Sequence, residues 1–228
     1  MSTIADNILF FDAQLKNTPC RLVAVSKTHP VELIQEAYDA GHRLFGENKV
    51  QELVDKREKL PHDIAWHLIG HLQTNKVKYI ASFVDTIQSV DSLKLLVEIN
   101  KRAEALNRTI PINCFLQISI ADEATKYGMS YEDAVALLES EEYRNMKYAR
   151  ITGVMGIATN TDNQDKLREE FRYLRACFQQ LKETYFFAND EFQEISMGMT
   201  SDWQLAIEEG STMIRVGSGI FGSRNYSK

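Results

Sequence analysis

The chain has 228 residues, 44% hydrophobic and 25% charged, and its formal net charge of −6 gives no electrostatic reason to expect nucleic acid as the main partner. No run approaches the roughly 18 apolar residues of a membrane helix. The opening MSTIADNILFFDAQLKN has an early Asp6 and amphipathic spacing in place of a signal peptide's basic start and apolar block, so a cytoplasmic protein is expected.

In chain order, a first helix is predicted near residues 3–18. Strand-like runs then follow at RLVAVSK (21–27), RLFGEN (43–48), AWHLIGH (65–71), TIQSVD (86–91), INCFLQISI (112–120), ITGVMGIAT (151–159), EISMGM (194–199) and MIRVGSGIF (213–221). Between them lie the helical candidates VELIQEAYDAG, KVQELVDKREKL, TNKVKYIASF, SLKLLVEINKRAEALN, YEDAVALLESE, QDKLREEFRYLRACFQQLKE and DWQLAIEEG, most with apolar residues at i, i+3, i+4. Asp91-Ser92 and Thr200-Ser201-Asp202 suit helix starts, and Gly41 and Gly210 suit helix ends. Eight strands alternating with helices predict a (β/α)₈ TIM barrel with an extra N-terminal helix. A doubly wound open sheet is the alternative, since the same alternation serves both. No Pro- or Gly-rich linker interrupts the chain, which favours a single domain over residues 1–228.

Cys20, Cys114 and Cys177 are far apart and form no CxxC pair, which argues against a disulfide framework or zinc knuckle and predicts reduced, space-filling thiols. His67 and His71 stand four apart in WHLIGH but on a strand, without the HExxH glutamate. They are expected to be structural or mouth-lining, with no metal site.

In such a barrel, side chains at the C-terminal strand ends face the active-site mouth. Lys27 stands at the first of these ends, Glu47 and Asn48 at the second, His71 at the third, Ser89 and Asp91 near the fourth, and Thr159 and Asn160 at the sixth. A lysine at a strand end commonly lays its stem on apolar surface with its head in water. At a buried mouth, desolvation favours the neutral amine, the nucleophile for Schiff-base formation with an aldehyde or ketone.

The last two strand ends point to an anion. ISMGMTSDW places Ser196, a glycine and a helix start after the seventh strand, and RVGSGIFG places Gly217 and Ser218 after the eighth, so both turns can offer backbone N–H groups to a phosphate. GSGIFG also matches G-x-G-x-x-G, but the required following helix, strand and acidic residue do not fit in the six residues after Gly222. Arg215 precedes the second turn. It could pair with an acid such as Glu47, or donate to a ring nitrogen. An amine for an aldehyde, a phosphate cradle and an arginine match the groups of pyridoxal 5′-phosphate (PLP). A Schiff-base aldolase acting on a phosphorylated sugar also fits the lysine and the phosphate turns.

The motifs AVSKT, LFGENKVQE, WHLIGHLQTNK, EATKYG (with Glu123, Lys126 and Gly128), ISMGMTSDW and MIRVGSGIFG, in order along nearly the whole chain, resemble the pyridoxal phosphate homeostasis protein family. The resemblance implies an alanine-racemase-like barrel, usually a monomer, holding PLP as a Schiff base on Lys27 for buffering or delivery to PLP-dependent apo-enzymes. It further implies that Asn48 lies beside the ring, that Arg215 approaches the pyridine nitrogen, and that Ser196, Gly217 and Ser218 take the phosphate. Lys76, Lys78 and Lys126 are expected to be solvated or helix-surface charges, though lysines near the mouth could make a second, weaker contact with PLP. Gly219 stands where the family often has alanine, and GVMGI at 153–157 departs modestly from the family's wording. The alternative is a PLP-dependent amino-acid racemase. Racemisation needs proton transfer on both faces of Cα, whereas Lys27 serves one, and racemases add a β-domain after the barrel for which seven residues beyond Phe221 leave no room. Little or no catalytic activity is therefore expected.

Overall fold

The computed structural model describes residues 3–121 and 127–222; Glu123 and Lys126 of EATKYG lie outside them. Helix α1 (Ile4–Leu15) starts on a capping box, in which the Thr3 hydroxyl accepts from the Asp6 N–H and the Asp6 carboxylate accepts from the Thr3 N–H. There follow β1 (Arg21–Val25), α2 (Val31–Asp39), β2 (Leu44–Glu47), α3 (Val50–Arg57), β3 (Ala65–Leu68), a 3₁₀ turn (Thr74–Tyr79), β4 (Thr86–Val90), α4 (Leu93–Ala105) and β5 (Ile112–Gln117). The second half runs α5 (Tyr131–Glu139), α6 (Glu141–Arg144), β6 (Ala149–Met155), α7 (Gln164–Tyr185), β7 (Glu194–Ser196), α8 (Trp203–Glu208), β8 (Met213–Val216) and α9 (Ser218–Phe221).

The eight strands form one closed barrel in sequence order, every neighbouring pair parallel, and β8 closes on β1 with Arg21 to Ala24 opposite Met213 to Val216. This is the (β/α)₈ barrel with one added N-terminal helix, and the open doubly wound sheet is excluded. Alternation along a strand divides the apolar residues into two sets. Leu22 and Ala24 of β1 join the large core between sheet and helices, while Val23 and Val25 belong to a small inner cluster with Ile69, Phe115, Met155 and Met213. Cys20, Cys114 and Cys177 are buried free thiols, as expected.

Three local expectations are corrected. TNKVKYIASF closes as a 3₁₀ turn, with Lys76 N–H on Gln73 O and Ile80 N–H on Val77 O; of Thr74 to Tyr79, Val77 alone is buried. The run MIRVGSGIF is not strand throughout. Strand β8 stops at Val216, and the Ile220 and Phe221 N–H groups turn back onto Gly217 O at 2.9 and 3.0 Å to make α9. The third correction concerns strand ends: AWHLIGH, INCFLQISI, ITGVMGIAT and EISMGM leave the sheet early, at Leu68, Gln117, Met155 and Ser196.

Candidate functional site

At the C-terminal mouth of the barrel lies a cavity of about 520 Å³, within the range of small-molecule and cofactor sites. Lys27, Asn48, Arg215, Gly217 and Ser218 all line it, so the fold brings together five of the six residues singled out in the sequence. Ser196 does not reach it. Among the described lining residues Lys27 and Arg215 are the basic side chains and none is acidic, in a chain whose net charge is −6.

Lys27 follows β1 in a tight turn closed by the His29 N–H on Ser26 O at 3.1 Å. Asn48 leaves β2 against the loop after β3: a Cβ placed at Gly70 would stand 2.4 Å from the Asn48 carbonyl oxygen, so only glycine permits that approach. After β7, Gly198 adopts φ +94° in front of Ala206 and leads into Met199, Thr200 and Ser201, which form the cavity wall on that side. The Ser218 hydroxyl donates to Thr200 Oγ1 at 3.3 Å, so the two turns read as anion-binding in the sequence abut. Their hydroxyls, and the first N–H groups of the α9 turn, which have no acceptor within so short a helix, form a concentrated set of donors. Gly219 is accommodated by packing: a Cβ there would lie 2.9 Å from Val216 Cγ1 and 3.3 Å from the Phe11 ring.

Arg215 enters from β8 on the inner face, opposite Val23. It does not pair with Glu47, whose carboxylate is taken by Lys56 at 2.6 Å. Its Nη1–H donates to Ser196 Oγ at 2.7 Å and its Nη2–H to Gly156 O at 2.9 Å, leaving further N–H donors of the guanidinium for a ligand. Burial pulls its pKa down to about 10, partly offset by the Asp202 charge, so it stays cationic at neutral pH.

Ser196 is fully buried one layer deeper, opposite Met213 rather than Arg215. Its hydroxyl donates to Gln88 Oε1 at 2.6 Å, and Gln88 Nε2 donates to His67 Nδ1 at 2.8 Å. That leaves the His67 Nε2–H for the Asp85 carboxylate, 3.4 Å away. The hydrogen bonds thus run in one direction from Arg215 through Ser196, Gln88 and His67 to Asp85. Burial holds the His67 imidazole below its ordinary pKa of 6.5, and the His67 hydrogen bond lowers the Asp85 carboxyl to about 2.

Sequence reasoning placed His71 at the mouth but missed Gln117 and Tyr127 on the same wall, where Tyr127 stacks on His71 with centroids 4.1 Å apart and planes 11° apart. His71 Nδ1 lies 3.1 Å from Asp91 Oδ2, and Gln117 Nε2 donates to the Tyr127 carbonyl at 2.9 Å. His71 is therefore mouth-lining and His67 structural. The sequence points to the Thr200-Ser201 turn as a helix start and a source of backbone N–H groups, and leaves the two hydroxyls out; a hydroxyl-rich loop beside the eighth-strand turn is the available signal.

The family model for the alanine racemase N-terminal domain matches residues 1–225. A pyridoxal phosphate homeostasis protein of Haemophilus influenzae is 39% identical over 210 residues, 91% of this chain and 86% of that protein, and one of Schizosaccharomyces pombe is 40% identical over 210 residues, 91% and 85%. Among solved structures, PipY of Synechococcus elongatus, determined with PLP bound, superposes with a TM-score of 0.86 at 36% identity, covering 96% of this chain and all of that one. Alanine racemase from Bartonella henselae shares the fold at 14% identity, with a TM-score of 0.70 over 99% of this chain and 60% of the racemase. The chain thus belongs to the pyridoxal phosphate homeostasis protein family, built on the alanine racemase N-terminal barrel.

Proposed function

We propose that the protein binds PLP in the mouth cavity, attached as a Schiff base to Lys27, and keeps it for buffering or for delivery to PLP-dependent apo-enzymes, acting as a monomeric, single-domain cytoplasmic protein. The observation that carries this reading is the convergence of an amine, a guanidinium and two abutting hydroxyl-bearing turns on one cavity without described acids. The fit is one of donor chemistry and size. When bound, PLP supplies an electrophilic aldehyde and a ring that can withdraw electrons.

In this assignment Lys27 anchors the aldehyde and Asn48 flanks the ring. Thr200, Ser201, Gly217 and Ser218 hold the phosphate. Arg215 donates toward the ring nitrogen, with Ser196 acting through it, not on the ligand. A guanidinium does not readily release a proton at neutral pH, so Arg215 would leave a bound ring nitrogen without a proton donor. That favours holding over turnover, in keeping with the names of the relatives.

Borohydride reduction of PLP-loaded protein, followed by peptide mass analysis, tests the assignment. Pyridoxyl mass is expected on the peptide containing Lys27 and lost in Lys27→Ala; a label that survives that substitution refutes the anchor. Robust racemisation of alanine or serine by the loaded protein would refute the carrier reading in favour of a racemase.

A further inference from the structure

Behind the Lys27 turn, away from the cavity, lies a buried ionic cluster. Lys56 of α3 is 5% exposed and Glu47 of β2 is fully buried. All three hydrogens of the Lys56 ammonium have acceptors: Ser26 O at 2.7 Å, Glu47 Oε1 at 2.6 Å and Glu52 Oε1 at 2.7 Å. The Ser26 hydroxyl donates to the same Glu47 oxygen at 2.6 Å, and Glu52 Oε1 also accepts the Thr28 N–H at 2.5 Å. The cluster therefore grips the residue before Lys27 and the residue after it. Thr28 has φ +66°, a left-handed conformation that a β-branched residue rarely adopts. The Glu52 carboxylate on its N–H helps to hold it there.

Packing does not account for the cluster. Val50 and Leu53 already bury the inner face of α3, and buried ion pairs are often no more stabilising than apolar residues of similar volume. Its contacts converge on one turn, and that turn presents the anchoring amine.

We infer that Lys56, with Glu47 and Glu52, is a positioning residue for Lys27, fixing the turn so that the Lys27 amine stays directed at the cavity; this rests on the reading of Lys27 as the PLP anchor. The test uses Lys56→Met and Glu52→Gln in the full chain, with two readouts. PLP dissociation from loaded protein, followed by absorbance after dilution into excess scavenger, is expected to quicken about tenfold in Lys56→Met and by less in Glu52→Gln, because loss of a positioning contact at a preorganised site costs about that much. Amide hydrogen exchange in the cofactor-free protein is expected to quicken at Thr28 and His29 while α7 keeps its wild-type protection.

Folded variants with wild-type dissociation and wild-type exchange at Thr28 would overturn the inference. So would exchange that rises equally in α7, since that reports general loosening. If Lys56→Met does not fold, Glu52→Gln decides by the same two readouts. Wild-type protein that takes no pyridoxyl label at Lys27 would instead refute the anchor reading, and the exchange at Thr28 would still report whether the clamp exists.

Discussion

Replacing Ser196 by alanine removes one oxygen from the barrel interior and separates two roles. In the structure that oxygen accepts from Arg215 at 2.7 Å and donates to Gln88 at 2.6 Å, with no exposure to solvent. Its loss leaves a buried guanidinium donor and a buried amide oxygen without this partner. A charge-assisted bond contributes about 1.5–3 kcal/mol and a neutral one about 0.5–1.5 kcal/mol, so Ser196→Ala should destabilise the cofactor-free protein by roughly 2–4 kcal/mol. For a chain of this size the melting temperature should fall by roughly 5–15 °C. Calorimetry of the cofactor-free protein measures the first effect, and titration with PLP and with pyridoxal, which lacks the phosphate, measures the second. If Ser196 acts through Arg215, both ligands weaken together and the preference for the phosphorylated one persists. An unchanged melting temperature with loss of that preference would refute the reasoning and make Ser196 a phosphate ligand.

Gly70→Ala should weaken PLP binding about tenfold or more, because its Cβ would stand 2.4 Å from the Asn48 carbonyl oxygen and overpacking of this kind costs about 1–3 kcal/mol; wild-type affinity in equilibrium titration would contradict this. The buried His67 has its pKa depressed below 6.5, so the folded state takes up fewer protons than the unfolded chain and stability should decline as pH falls below 6.5. Buried Glu47, raised to about 7, acts in the opposite direction over the same range, so the measurement is the difference between wild type and His67→Gln: urea midpoints from pH 7.5 to 5 should show the wild type losing stability relative to the variant as pH falls.

The barrel was legible because each strand of a parallel sheet is a short β-branched run bounded by punctuation, and that pattern survives without tertiary information. Lys27, Asn48, Gly217 and Ser218 were placed at the mouth for a related reason: once the strands are counted, the residues that follow them must face one end of the barrel, and Arg215 reaches the same cavity from inside β8. Ser196 shows the limit. Whether a strand-end residue reaches the cavity or sits a layer below depends on register, and the pairing of Ser196 with Met213 is set by a neighbouring strand 17 positions on. The Lys56 cluster was illegible for the opposite reason. A lysine and a glutamate at i, i+4 on an amphipathic helix read as surface charges, and only the docking of α3 against the β1 turn buries the lysine. Tyr127, which reaches His71, itself lies in no helix or strand that a sequence pattern could place.

The contrast between an acidic chain and a cationic cavity bears on kinetics. Beyond about 8 Å, the screening length at physiological ionic strength, a phosphorylated anion is largely shielded from the chain's net charge of −6, and inside that range the Arg215 guanidinium and a described lining without acids set the local field. Added salt therefore loosens the grip at the mouth more than it changes the approach. At about 0.01 M salt, where the screening length grows to about 30 Å, the net negative charge reaches the incoming anion and slows its arrival.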